Sequence, residues 1–292
     1  MCDQHSLTDM ADHLHATTGL TRRAFGSAAA ALAAFAALPR VAGAAEVKGS
    51  DVVIKTPDGD AEAYFVAPTS GKHPAVLVWV DAFGLRPAFK QMANRLAESG
   101  YAVLTPNPYY RTAKVPALPE GLDFGKPDDR AQIMALMSKL TPETNVTDAK
   151  AFVAWIDNQP QVDTAKKMGT TGYCMGGPMV MRTAATIPNR IGAAGTFHGG
   201  GLATKAPNSP HLLIPQMKAA YLVCVADNDD KADPEAKDTL RKAFADAKLK
   251  AEIEVYTGAQ HGWCPPDAAV YKKDAAEKAW ARQLALFKTA LA

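Results

Sequence analysis

A cysteine flanked by glycines is the feature of this 292-residue chain that most clearly predicts chemistry. Cys174 stands in the segment Gly172-Tyr173-Cys174-Met175-Gly176-Gly177, at the end of a short predicted strand. A nucleophile exposed on a sharp turn from a strand into a helix requires glycine two residues before it and two residues after it, because larger side chains would collide there. The spacing therefore predicts a nucleophile elbow whose reactive group is a thiol.

Residues further along the chain could supply a base and an acid for this thiol. His261, in Gln260-His261-Gly262, follows the last predicted strand, and His198, in Phe197-His198-Gly199, is the rival base. The acid candidates occupy one short segment, at Asp227, Asp229 and Asp230. The order nucleophile, acid, histidine is that of α/β-hydrolases. We therefore predict that His261 acts on Cys174 and that one of the three aspartates orients it.

Strands that alternate with helices must hold these residues in place, and they predict a single α/β-hydrolase domain. The predicted strands cover 52–54, 61–66, 75–80, 101–105, 169–173, 192–197, 220–225 and 251–256. The predicted helices cover Pro87–Glu98, 128–140, 145–158, 178–188, 234–248 and 268–291. This pattern indicates a mostly parallel sheet covered by helices on both faces. The segment 106–126 is a long loop, of the kind that carries binding residues.

The first 44 residues indicate where the protein acts. Arg22-Arg23, an Ala-rich run over 27–38 and Ala42-Gly43-Ala44 resemble a twin-arginine export signal cleaved after Ala44. The alternative is a disordered or helical N-terminal arm. We expect a signal over 1–44, a catalytic domain over 45–292, a periplasmic or exported location, and the twin-arginine translocation machinery as a partner. We also expect the mature protein to be a monomer.

Composition and cysteine count limit the other functions. A net charge of +2 is too small to indicate nucleic acid or an anionic membrane surface as a partner. No apolar stretch reaches the roughly 18 residues of a membrane-spanning helix. Cleavage would leave Cys174, Cys224 and Cys264, and this odd number indicates at least one free thiol. Cys224 is interpreted as a buried core residue, with a Cys224–Cys264 bridge as the alternative. No metal-binding motif is evident.

The same residues resemble the dienelactone hydrolase family, over roughly residues 50–292. The resemblance rests on the elbow around Cys174, the aspartate segment, the histidine motif, the segment 78–84, and the segment 100–106 with the Tyr109-Tyr110-Arg111 that follows. It implies a single-domain α/β-hydrolase with a Cys-Asp-His triad and with no metal or cofactor.

The resemblance also implies a role for individual residues. Cys174 would be the nucleophile, His261 the base and Asp229 the acid. The backbone N–H of Met175, which the elbow itself predicts as an oxyanion donor, would be joined by that of Ala82. Asp81 stands where the family commonly has a glutamate that contacts the resting thiol and modulates its activation.

Substrate recognition departs from the family, because no arginine follows the histidine in Gly262-Trp263-Cys264-Pro265-Pro266. Arg111 and Arg130 are the candidate substitutes, and Trp263 is the candidate contact for an uncharged substrate. We expect hydrolysis of a lactone or carboxylic ester through a thioester. The alternatives are a glutamine-amidotransferase-like or chaperone-type protein with a similar elbow, and an exported small-molecule binding protein with little or no turnover.

Overall fold

A computed structural model describes residues 38–39 and 41–292. Its central sheet has eight strands, which are β1 Val47–Thr56, β2 Gly59–Pro68, β3 Ala75–Trp79, β4 Ala102–Pro106, β5 Met168–Tyr173, β6 Ile191–Phe197, β7 Ala220–Ala226 and β8 Ala251–Tyr256. The predicted signal segment 1–44 lies outside the described residues except for 38–39 and 41–44, so export and cleavage stay predictions.

The strands lie in the order β1-β2-β4-β3-β5-β6-β7-β8. The β1–β2 hairpin and the β2–β4 pair are antiparallel, and all other pairs are parallel. The central strands β3, β4 and β5 are buried along their whole length, as expected for parallel strands covered on both faces. The predicted α/β-hydrolase fold is confirmed.

Helices cover both faces of the sheet. They are α1 Pro87–Glu98, α2 Pro127–Met137, α3 Pro142–Asp157, α4 Gly176–Thr186, α5 Asp227–Ala232, α6 Ala236–Asp246 and α7 Lys273–Ala290. One core contains Phe89 of α1 and Phe287 of α7, and the other contains Phe152 of α3, Val180 of α4 and Phe244 of α6. Among the described residues, no helix is both long enough and apolar enough to cross a lipid bilayer.

The largest differences from the sequence predictions lie at element ends. The aspartate segment, predicted as a loop, forms the short helix α5, and the predicted helix 268–291 begins only at Lys273. The hairpin is longer than predicted, because the polar residues 48–51 of β1 pair regularly with 64–67 of β2. A 3₁₀ segment over Pro210–Gln216 was not predicted. None of these differences changes the order of the strands.

The three described cysteines are free and buried, so the alternative of a Cys224–Cys264 bridge is wrong. The Cys224 thiol lies 3.5 Å from the Tyr256 hydroxyl, and burial raises its pKa to about 12. Burial likewise raises the pKa of Cys264 well above the ordinary thiol value. A thiol with a raised pKa is a poor nucleophile near neutral pH, so among the described cysteines Cys174 stays the candidate nucleophile.

Candidate active site

The turn between β5 and α4 has the geometry of a nucleophile elbow. Cys174 has a φ of 52°, in the left-handed region that non-glycine residues rarely occupy. A Cβ on Gly172 would lie 2.3 Å from the carbonyl oxygen of Gly176, and a Cβ on Gly176 would lie 2.5 Å from that of Trp79. Both distances are too short for any side chain, so only glycine fits at these positions and the sulfur is held at the strand end.

His261 contacts a carboxylate that follows a neighbouring strand. Its Nδ1 lies 2.7 Å from Oδ2 of Asp229, and its backbone N–H donates to Oδ1 of Asn228 at 2.7 Å. The other two acid candidates form ion pairs with lysines, Asp227 with Lys231 and Asp230 with Lys237. Asp229 is therefore the member of the aspartate segment that can orient the imidazole.

Charge around His261 favours its protonated form. Burial lowers the pKa of His261, but the neighbouring Asp229 and Cys174 side chains more than offset this, so the pKa lies well above the usual histidine value. Nε2 makes no hydrogen bond of good geometry within the described residues, and Cys174 is the group close enough to raise its pKa. This arrangement suits an imidazolium beside a thiolate.

His198, the rival base, lies beneath His261 rather than beside an acid. It is fully buried, and its ring centre lies 5.1 Å from that of His261 and 5.0 Å from that of Trp263. Neither of its ring nitrogens has a partner of good hydrogen-bond geometry. Burial and the neighbouring His261 lower the pKa of His198 well below the usual value. His198 therefore packs as a neutral ring.

A neutral buried histidine makes stability depend on pH. The unfolded chain binds a proton at His198 below about pH 6.5 and the folded chain does not, so stability falls as pH falls through that value, by at most about 1.4 kcal/mol per pH unit. We expect His198→Phe, which keeps the ring packing, to weaken this acid-side loss. Urea unfolding of both proteins at pH 7 and pH 5.5 measures the difference. An identical pH dependence would contradict the neutral assignment.

Two backbone N–H groups are available as oxyanion donors. No hydrogen bond from the N–H of Met175 or of Ala82 to another described residue is present. The buried Tyr109 hydroxyl donates to the Ala82 carbonyl oxygen at 2.8 Å and lies 3.3 Å from the Met175 sulfur. Burial raises the pKa of Tyr109 well above its usual value, so the hydroxyl remains a donor. Tyr109 thus links the segment of Ala82 to that of Met175. Sequence analysis placed Tyr109 in the long loop and did not predict this role.

Asp81 lies in an ion pair, and its role as an acid that modulates the Cys174 thiol stays a prediction. Both of its carboxylate oxygens bind the Arg86 guanidinium, at 2.6 and 2.9 Å, and Oδ1 also accepts the Phe83 N–H. Arg86 in turn binds both oxygens of Asp267, at 2.6 and 3.0 Å. The charge of Asp81 is thus committed to an ion pair that ties the loop after β3 to the segment after His261. Sequence analysis missed Arg86 and Asp267, although Arg86 follows Asp81 by only five residues.

The predicted substrate-binding residues lie elsewhere. The Arg111 guanidinium binds Asp58 and Asp148, both within 3.0 Å, and Trp263 is fully buried against Tyr256 and His198. Carboxylates thus hold the arginine and the core encloses the indole, and a role of either residue in substrate binding stays a prediction. Arg130 lies in α2 and is absent from the cavity next to Met175.

That cavity has a volume of about 80 Å³, and Met175, the residue after Cys174, lines it. Its lining includes Met137, Leu140, Asn145, Met175, Met179 and Arg182. Among the described residues no group of His, Cys, Asp or Glu side chains could hold a metal ion, and the expected lack of a cofactor stays a prediction.

The strand order, the elbow on β5 and the Asp229–His261 contact define an α/β-hydrolase with a thiol at its elbow. A sequence model described as the dienelactone hydrolase family matches residues 61–291. The chain therefore belongs to the dienelactone hydrolase family. This membership makes it a hydrolase of carboxylic esters or lactones.

Individual relatives agree with this assignment. A carboxymethylenebutenolidase of Rhodococcus opacus is 28% identical over 211 residues, which cover 72% of this chain and 78% of that protein. A candidate carboxymethylenebutenolidase of Salmonella typhi is 28% identical over 258 residues, covering 80% and 90%. The crystal structure of a candidate dienelactone hydrolase from Klebsiella pneumoniae has a TM-score of 0.72 at 27% identity, covering 83% of this chain and 99% of that one.

Proposed function

We propose that the protein cleaves a carboxylic ester or lactone through a thioester formed on Cys174, with His261 as the acid–base group and Asp229 as its orienting acid. The observation that carries the proposal is the raised pKa of His261, which stems from Asp229 and Cys174 together. A buried structural cysteine would have no reason to stand at a positive φ beside an imidazole that a carboxylate orients.

Acylation begins with the thiolate. Cys174 sulfur attacks the carbonyl carbon, and the carbonyl electron pair moves to oxygen, which accepts the N–H groups of Met175 and Ala82. In comparable sites one such donor contributes about 3 to 4 kcal/mol. As the intermediate collapses, the alkoxide leaves and takes the Nε2 proton of His261. The products of this half-reaction are a thioester and an alcohol, which remains tethered if the substrate is a lactone.

Deacylation reverses the proton transfers. Neutral His261 removes a proton from water, the resulting hydroxide attacks the thioester carbonyl, and the same two N–H groups hold the oxyanion. Expulsion of Cys174 as thiolate regenerates the ion pair with the imidazolium and releases the acid. Asp229 keeps its hydrogen bond to Nδ1 throughout, which fixes the tautomer in which Nε2 faces the reaction.

The alternative is an exported binding protein that keeps the hydrolase shell. The ion pair between Asp81 and Arg86 favours it, because the charge of Asp81 is then largely compensated by the guanidinium. The buried His261–Asp229 contact opposes it, since a protein that only binds a ligand has no use for an oriented imidazole beside a thiol.

Hydrolysis of a panel of aryl esters and unsaturated lactones by the wild type and by Cys174→Ala tests the proposal. We expect turnover by the wild type and its loss, by at least about 10³-fold, in the variant, because no other side chain can form the thioester. Mass spectrometry should detect the acylated wild-type chain. Cys224→Ala is the matched control and should retain turnover, since that thiol is buried and protonated.

Two results would reject the proposal. Full activity of Cys174→Ala would remove the sulfur from the mechanism. No turnover by the wild type on the whole panel, together with slow alkylation of Cys174 at pH 7, would favour the binding protein.

A further inference from the structure

The cavity next to Met175 contains a polar side chain without a partner. Asn145, in the first turn of α3, is 3% exposed, and neither its amide nitrogen nor its amide oxygen makes a hydrogen bond to any residue that the structure describes. The hydroxyls of Thr141 and Ser209 line the same cavity, but each of them has hydrogen-bond partners. Most of the remaining wall area is apolar, with Met179 as one example, but Arg182 also lines the cavity, and its guanidinium donates to the Asn208 carbonyl oxygen.

An unpaired buried amide has a cost that needs an explanation. Each buried donor or acceptor without a partner destabilises a protein by about 1–3 kcal/mol, and a native structure contains few of them. A leucine at position 145 would fill similar space without this cost. The amide of Asn145 is therefore suited to a group that enters the cavity from outside, and the cavity can hold several water molecules or the end of a short acyl chain.

We propose that this cavity is an acyl-chain subsite in which Asn145 binds a hydroxyl at the far end of the acyl group. The inference rests on the proposed function, because the chain would enter past Met175 while its carbonyl carbon is bonded to Cys174. A hydroxyl donates to the amide oxygen and accepts from the amide nitrogen, so it satisfies both atoms. A carboxylate would satisfy the nitrogen alone and would face the amide oxygen with like charge.

Opening of a lactone would itself produce a hydroxyl at the far end of the acyl chain. When the thiolate opens a lactone, the leaving alkoxide takes a proton from His261 and stays at the end of the acyl chain. Such a tethered hydroxyl can attack the thioester again with a high effective concentration, which would restore the lactone. Binding at Asn145 holds the hydroxyl away from His261, so that water can take its place.

Two esters with the same leaving group test the subsite. We expect the wild type to prefer ethyl 5-hydroxypentanoate over ethyl pentanoate in kcat/KM, and Asn145→Leu to reduce that ratio by about 10-fold or more. Asn158→Leu, the same substitution at the exposed C-terminal end of α3, should leave the ratio within about twofold. Monoethyl glutarate, with a terminal carboxylate, should not show a preference that depends on Asn145.

Binding gives a second readout that does not require turnover. Calorimetry with Cys174→Ala protein should show tighter binding of the hydroxyl ester, and addition of Asn145→Leu should remove the difference. Asn145→Leu should also be no less stable to urea than the wild type, because it replaces an unpaired amide. If the leucine variant does not fold, Asn145→Ala takes its place in both assays.

The outcomes separate the two proposals. A hydroxyl preference that survives in Asn145→Leu, or equal binding of the two esters by the Cys174→Ala protein, would show that Asn145 does not bind the hydroxyl and would overturn this inference. A preference for the carboxylate ester that depends on Asn145 would overturn the hydroxyl class. Failure of the wild type to turn over any ester, with hydroxyl-dependent binding intact, would reject the thioester mechanism and leave the subsite supported.

Discussion

Replacement of His261 by glutamine is expected to reduce kcat/KM for esters by about 10³–10⁴-fold, because both proton transfers of the proposed mechanism pass through its Nε2. The same variant should slow alkylation of Cys174 by iodoacetamide about 30-fold at pH 7, since an ordinary thiol is only about 3% ionised there. Stopped-flow alkylation between pH 5.5 and 9.5 measures the second effect.

The pH dependence of Cys174 alkylation should differ between the wild type and His261→Gln. The pKa of His261 is raised by Asp229 and Cys174 against the opposing effect of burial, so the protonated ring should maintain the thiolate to low pH. Alkylation of the wild type should therefore change little between pH 8 and pH 6, whereas in His261→Gln it should fall about tenfold per pH unit. His73→Gln, at the opposite end of the parallel strands, is the control and should behave as the wild type. Equal profiles for all three proteins would remove His261 from the activation of the thiol.

Replacement of Arg86 by methionine is expected to lower the free energy of unfolding by about 3 kcal/mol, because it leaves the buried Asp81 and the partly buried Asp267 without a counter-charge. The side chains of Arg86, Asp81 and Asp267 are 18%, 8% and 18% exposed. Urea unfolding followed by circular dichroism measures the change. Ester turnover of Arg86→Met below its unfolding midpoint should also fall, because the ion pair holds the loop that carries the Ala82 N–H.

Arg241→Met is the matched control for this prediction. Its partner Asp238 lies in the same helix, and both side chains are about half exposed or more, so the loss should stay below about 0.5 kcal/mol. The triple variant Arg86→Met, Asp81→Asn, Asp267→Asn should recover part of the stability, since no uncompensated charge remains. An Arg86→Met loss as small as that of the control would contradict the buried ion pair.

The fold and the elbow were accessible from sequence because local rules specify them. Apolar runs buried on both faces predict β3, β4 and β5, and the strong steric demand at Gly172 and Gly176 appears directly as residue type. The glycine pattern cannot vary without a collision with the backbone of Trp79 or of the elbow itself. Short-range constraints of this kind can be recognised in a single sequence.

The remaining details depend on side-chain direction and long-range partners. The three aspartates lie within four positions of α5, and their side chains point in different directions. The turn of the helix places Asp229, and not its neighbours, against His261. Asp267 lies 181 residues from Arg86 in the chain, so no local sequence pattern indicates their contact. The partners of Arg111 were not predicted for the same reason, because its carboxylate partners at 58 and 148 are distant in sequence.

The strand order has a consequence for how the protein loses function. The thiol ends the central strand β5, whereas the acid follows β7 and the histidine follows the edge strand β8, which pairs with β7 alone and is partly exposed over most of its length. Edge segments open at lower free energy than the centre of a sheet. Mild heating should therefore produce a population in which Cys174 is still held at the intact elbow but His261 has moved away from it. Activity should then be lost at a lower temperature than the folded structure.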